Sequence, residues 1–159
     1  MNENSASMGS IKMEITIDAP VSKVWRALTE NIGAWWPDDF YAGGQPGQRN
    51  FLLEVEAGGR MHETWGSKGG VLWGTVISCD PEKSLQILGH TFPNWGGPTQ
   101  WYGTWTLDAA GDQTTLGFSE SAIGHVSSSG MDEKDKGWRF LWATLKAHVE
   151  GTPAPDWQD

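Results

Sequence analysis

Apolar and polar residues alternate along the first stretch of the chain, with Ile11, Met13, Ile15 and Ile17 on one face. That period of two predicts a half-buried strand. Asp18-Ala19-Pro20 ends it. Proline suits the first helical position, and Val21, Val24, Trp25 and Leu28 follow at helical spacing. A second short helical turn is expected to carry Ile32, Trp35 and Trp36 before Pro37 stops it. Residues 38–50, rich in glycine and proline, read as a loop. A series of strand-like runs comes next, separated by turn residues. Phe51, Leu53 and Val55 share a face, as do Met61, Glu63 and Trp65; residues 71–79 and 85–92 follow. Trp101, Gly103, Trp105 and Leu107 form the next run, and Leu116, Phe118 and Glu120 the last.

The polar, glycine-containing segment from Ser121 reads as a connecting loop. From about Met131 to Val149 the period changes: Trp138, Leu141, Trp142, Leu145 and Val149 recur at spacings of three and four, the apolar stripe of a helix. Gly151 stands where a C′ glycine would end it, and Pro153 and Pro155 forbid its return. The expectation is therefore an α+β domain: a six- or seven-stranded antiparallel sheet, two short helices after the first strand, and one long C-terminal helix. A sheet whose single apolar face meets one helix must curl around it, which leaves a cavity unless large side chains fill the space. Residues 1–10 read as a disordered leader, 11–151 as the single domain and 152–159 as a loose tail.

Composition sharpens this picture. At 159 residues one domain buries roughly 68–70% of its unfolded surface. The 11 tryptophans and 21 glycines favour a curved, β-rich fold, since glycine serves turns and bulges while tryptophan serves cores and ligand walls. A formal charge of −9 repels phosphate backbones and anionic lipid headgroups, so neither nucleic acid nor a membrane surface is an expected partner. No apolar run approaches a membrane span of roughly 20 residues. The opening residues MNENSASMGS have neither the basic nor the apolar region of a signal peptide. The single cysteine, Cys79, cannot form an internal disulfide, so a reducing cytoplasm is the expected compartment.

Residues 15–28, ITIDAPVSKVWRAL, resemble the strand-to-helix opening of the START-like (SRPBCC, helix-grip) superfamily, which includes the birch-pollen-allergen-like proteins. Trp35-Trp36-Pro37, the turn Ala57-Gly58-Gly59-Arg60, the strand from Gly74 ending at Asp80-Pro81, and GWRFLWATLKAHVEG at 137–151 resemble one branch of it. That branch is the family named after activators of the heat-shock-chaperone ATPase. The resemblance spans residues 11–151 and implies a helix-grip fold. It implies less about activity, because the superfamily includes lipid carriers, hormone receptors and polyketide cyclases, and fold alone does not settle function.

Candidate chemistry is sparse. His62, His90, His125 and His148 have no His, Cys or carboxylate at metal-ligand spacing, so no metal or other cofactor is expected. Cys79 has no neighbouring base to activate it. Gly66-Ser67-Lys68-Gly69-Gly70 has a phosphate loop's composition without its spacing. Glu63 and Glu120 are different. Alternation places both on the concave face, where burial raises a carboxyl pKa and makes it a candidate acid or base, or a grip for a ligand's polar end. The competing reading has them at strand ends in water, or paired with Arg60 or Arg139. Trp65, Trp101 and Trp105 fall on the same face, opposite Trp138 and Trp142, and either fill the cavity or wall it.

The expected pocket is lined by some of Met61, Trp65, Trp101, Trp105, Phe118 and Leu141, with Glu63 or Glu120 as its polar end. It would take a small apolar ligand, neutral or cationic and amphipathic; no Arg or Lys is evident on that face to receive an acid. The leading expectation is a ligand-binding or carrier domain, monomeric or homodimeric. The alternatives are a cyclase- or hydrolase-type enzyme using Glu63 or Glu120, and a chaperone- or stress-related interaction domain.

Overall fold

The computed structural model describes residues 5–158. Seven antiparallel strands form one sheet. In chain order they are β1 (Ser7–Ile17), β2 (Arg49–Leu53), β3 (Arg60–Trp65), β4 (Gly69–Asp80), β5 (Ser84–Thr91), β6 (Thr99–Ala110) and β7 (Gln113–Gly124). Their spatial order is β1-β7-β6-β5-β4-β3-β2. The connection from β1 to β2 carries helix α1 (Val21–Leu28) and 3-10 turns at Ile32–Ala34 and Asp38–Phe40. The long helix α2 (Ser128–Glu150) lies in the curl of the sheet. This is the helix-grip architecture expected from the pattern.

Two β-bulges help bend the sheet. In the β3–β4 ladder Met61 pairs with Gly74 and His62 with Leu72, so Trp73 is the extra residue. In the β4–β5 ladder Val76 pairs with Ile87 and Ser78 with Gln86, so Ile77 is the extra residue. Each bulge kinks its strand and re-aims a side chain.

Helix α2 fills the concavity through its apolar stripe. Trp138, Leu141, Trp142, Leu145 and Val149 are all buried. Its N-cap is Ser127, whose hydroxyl accepts from the Gly130 amide at 3.0 Å. Gly151 closes the helix at φ 71°, a left-handed conformation that glycine adopts without a Cβ penalty.

Three boundaries differ from expectation. β1 begins at Ser7, within the segment expected to be a disordered leader, because β7 continues to Gly124 and Ser7–Ser10 pair with it; residues 1–4 lie outside the described residues. The connection after β7 is short, since α2 begins at Ser128 rather than near Met131. Its first turns are polar because they project largely to solvent, which weakens their periodicity. The tail is not loose around Trp157, whose ring centroid lies 5.1 Å from that of Phe40 and 4.9 Å from that of Phe140. Trp157→Ala is expected to cost about 1–2 kcal/mol, from two aromatic pairs and a half-buried ring. Urea denaturation checks this, and a loss below about 0.5 kcal/mol would return the tail to a merely draped segment.

Candidate functional site

A cavity of about 420 Å³ opens between the sheet and the N-terminal half of α2. Strands β2, β3 and β4 contribute Phe51, Met61 and Trp73, and strands β6 and β7 contribute Trp101, Glu120 and Ala122. Helix α2 contributes Lys134, Trp138 and Leu141. The mouth is bounded by the Pro93–Trp95 turn and by the first turns of α2 around Gly130 and Glu133. Trp95 remains 41% exposed there.

The deep end of the concavity is solid. Trp105, Phe118, Trp138 and Trp142 pack ring against ring, with centroids 4.6 to 6.1 Å apart. Aromatic residues thus do two jobs in one concavity: a packed cluster at one end and a wall at the other. Met61, Trp101, Glu120 and Leu141 line the open part, whereas Trp105 and Phe118 belong to the cluster. Trp65 does neither. The Gly43–Gly44 segment lies across it, so its ring packs under that loop instead of facing the cavity.

Glu120 is the buried carboxylate of the lining. It is 1% exposed. On β7 it pairs with Ile11 on one side and Gly103 on the other, between Phe118 and Ala122 on the inward face. Burial raises its carboxyl pKa above the usual carboxylate range. The Lys134 ammonium, in direct ion-pair contact with Oε1, and a hydrogen bond from the Trp138 side chain partly offset that rise. The Lys134 ammonium also lies 5.6 Å from the Trp101 ring centroid, within cation–π range. The expectation that no Lys or Arg reaches this face is therefore corrected. Lys134 sits one turn before Trp138 and reaches inward from the polar run that opens the helix. Neither Arg60 nor Arg139 pairs with these glutamates; they meet Glu54 and Asp135.

Glu63 is equally buried, at 1% exposed, but it faces the chain rather than the cavity. Its carboxylate accepts from the Ala42 amide at 2.9 Å and from Trp73 Nε1 at 2.8 Å. Burial raises its pKa, and these hydrogen bonds, with the nearby Arg49, work against the rise. Glu63 is a positioning residue. It ties the loop after Asp38–Phe40 to the sheet and holds the indole of Trp73, which the β4 bulge has turned into the cavity wall. A side chain at a bulge breaks the alternation by which face is read from sequence, so Trp73 had no periodic signal. Trp36, stacked on Phe51 at 3.8 Å, and Trp95 come from turns, where alternation does not apply.

Trp101 has a backing of its own. A Cβ on Gly89, directly across the β5–β6 ladder, would lie 2.2 Å from the Trp101 ring. Glycine there lets the indole lie flat against the strand. Among the described residues no group of three or more His, Cys, Asp and Glu side chains could hold a metal ion. No helix among them is long and apolar enough to cross a membrane.

The family model described as Activator of Hsp90 ATPase homolog 1-like protein matches residues 18–150. No curated protein matches the sequence significantly. Among solved structures, CalU16 from Micromonospora echinospora is 22% identical, with TM-score 0.63 over 97% of this chain and 88% of that one. The Aha1 dimer from Colwellia psychrerythraea, a solution structure, is 21% identical, with TM-score 0.60 over 89% of this chain and 96% of that one. DynU16, a protein of the dynemicin biosynthetic locus, is 20% identical, with TM-score 0.68; the match covers 94% of this chain and 51% of DynU16. At these identities the likeness carries the fold.

Proposed function

The chain belongs to the Activator of Hsp90 ATPase homolog 1-like family, and within that frame we propose that it binds a small amphipathic ligand in the cavity between α2 and the sheet. The observation that carries this reading is the partial filling of the concavity. Tryptophan packs one end solid and leaves about 420 Å³ at the other, within the range of small-molecule sites. The walls are mainly aromatic and aliphatic, and the Glu120–Lys134 pair supplies a charged anchor among them. An apolar body with one polar group fits such a lining.

The reading is of a binder or carrier rather than an enzyme. A general base needs a carboxylate free to take a proton from substrate; Glu120 is already engaged by Lys134, and Glu63 by Ala42 and Trp73. The domain is read as cytoplasmic, from its one free cysteine, and as a monomer or homodimer.

Ala122, buried on β7 and facing the cavity, gives the test. Ala122→Phe places a ring in the open volume. It is expected to cut the affinity for a neutral apolar fluorescent probe such as N-phenyl-1-naphthylamine or Nile red at least about tenfold, equivalent to about 1.4 kcal/mol of lost binding. Thermal stability should change little. Equal affinity in both proteins would place the probe elsewhere and remove the cavity reading. Native mass spectrometry of freshly purified protein would identify the natural occupant directly.

A further inference from the structure

We propose that the cavity recognises an ammonium group, and that Lys134 is the tethered occupant of that cation site, displaced when the ligand enters. This rests on the cavity being a ligand site, and it names the chemical class that site takes.

The geometry is that of a built cation site. Glu120 is 1% exposed, held on a central strand, and offers its carboxylate into the cavity. The face of Trp101 lies beside it, near enough to the Lys134 ammonium, at 5.6 Å, for cation–π attraction. Trp138 hydrogen-bonds the same carboxylate, and Trp36, Trp73 and Trp95 line the rest of the cavity. A buried carboxylate among aromatic faces is the arrangement that binds organic cations.

The two members of the ion pair differ in how firmly they are held. Glu120 springs from a strand paired on both sides and cannot leave. Lys134 springs from the second turn of α2, near the mouth, and its side chain is 24% exposed. Its four-carbon stem lets the head swing into water, where an ammonium is strongly hydrated. Exchange of one ammonium for another keeps Glu120 paired throughout. The ligand contributes what lysine cannot: an apolar body that covers the aromatic walls.

An anionic ligand fits less well. The carboxylates of Glu120 and Glu133 line the cavity against the single Lys134 ammonium, and the chain as a whole carries −9. An acid placed on Lys134 would lie against Glu120, like charge beside like.

Three probes of one shape decide the matter by isothermal titration calorimetry: 2-naphthylmethylammonium, 2-naphthylmethanol and 2-naphthoate. The wild-type protein is expected to bind the ammonium about tenfold more tightly than the alcohol, with the carboxylate weakest. Lys134→Met removes the competing occupant, so the ammonium should bind about tenfold more tightly still, while the alcohol changes little. Glu120→Gln should erase the preference of ammonium over alcohol. If Lys134→Met does not fold, Lys134→Gln, which leaves the carboxylate a hydrogen-bond donor, carries the same expectation. Alcohol and ammonium binding equally in the wild type and in the Lys134 variant would overturn the cation site and leave the cavity reading standing. So would tightest binding of the carboxylate, lost in Lys134→Met. Failure of all three probes to bind would remove the cavity reading and this inference together.

Discussion

Trp142→Ala is expected to lower the free energy of unfolding by about 3–5 kcal/mol. The residue is 2% exposed, and its ring stands where α2, the sheet and the first connection meet. Its centroid lies 5.0 Å from Trp138, 5.3 Å from Trp105, 5.5 Å from Phe118 and 6.4 Å from Trp35. Truncation removes its share of these aromatic pairs and leaves a void that four large, rotamer-bound rings cannot collapse to fill. A typical domain has about 5–15 kcal/mol in all, so the variant should unfold at much lower urea. Trp142→Phe, which keeps a ring, should lose clearly less. Trp95→Ala, at the exposed mouth, should stay within about 1 kcal/mol of wild type. If Trp142→Ala and Trp95→Ala lost equal amounts, α2 would not be the prop of this core.

What was legible in the sequence follows from how regular each element is. The stripe on α2 was plain because Trp138, Leu141, Trp142, Leu145 and Val149 keep one period over three turns. Inward positions on β7 were plain for a related reason. Its pairing with β1 and β6 runs without a register shift, so alternation carries Leu116, Phe118 and Glu120 onto one face; Ala122 continues that face past the point where the sequence reads as a loop. β4 is the opposite case. Its bulge at Trp73 inserts a residue into the ladder, and a period-two reading cannot know which residue is extra. Trp65 failed differently: its place in the alternation does not reveal that the Gly43–Gly44 segment covers it. Lys134 was hidden by polarity. Extending the stripe back one turn from Trp138 lands on it, but the surrounding run of Asp, Glu and Lys reads as solvated chain. The site is thus half regular strand and helix, where pattern suffices, and half turn and bulge, where only the folded chain brings the side chains together.

The pair Glu120–Lys134 yields the second large effect, and its sign follows from burial. Because the folded chain raises the Glu120 pKa above the ordinary 4.5, the carboxyl holds its proton more tightly when folded than when unfolded. The stability linked to that proton is fully present below 4.5 and is lost as pH rises through the folded value. Lys134 limits the loss, since its charge and hydrogen bond both lower the folded pKa. Lys134→Met strips away that support, moves the folded value further up, and extends the loss to higher pH. At pH 4 the variant and wild type should be nearly equal in urea denaturation. Toward pH 8 the variant should fall behind by about 2–4 kcal/mol, the scale for a buried charge deprived of its partner, reduced somewhat because Lys134 is partly exposed. Glu120→Gln should flatten the pH dependence in this range, and Lys134→Met combined with Glu120→Gln should recover most of the stability, since no charge is then left buried alone. A constant gap between Lys134→Met and wild type from pH 4 to 8 would mean that Lys134 contributes packing through its stem and does not hold Glu120 ionised.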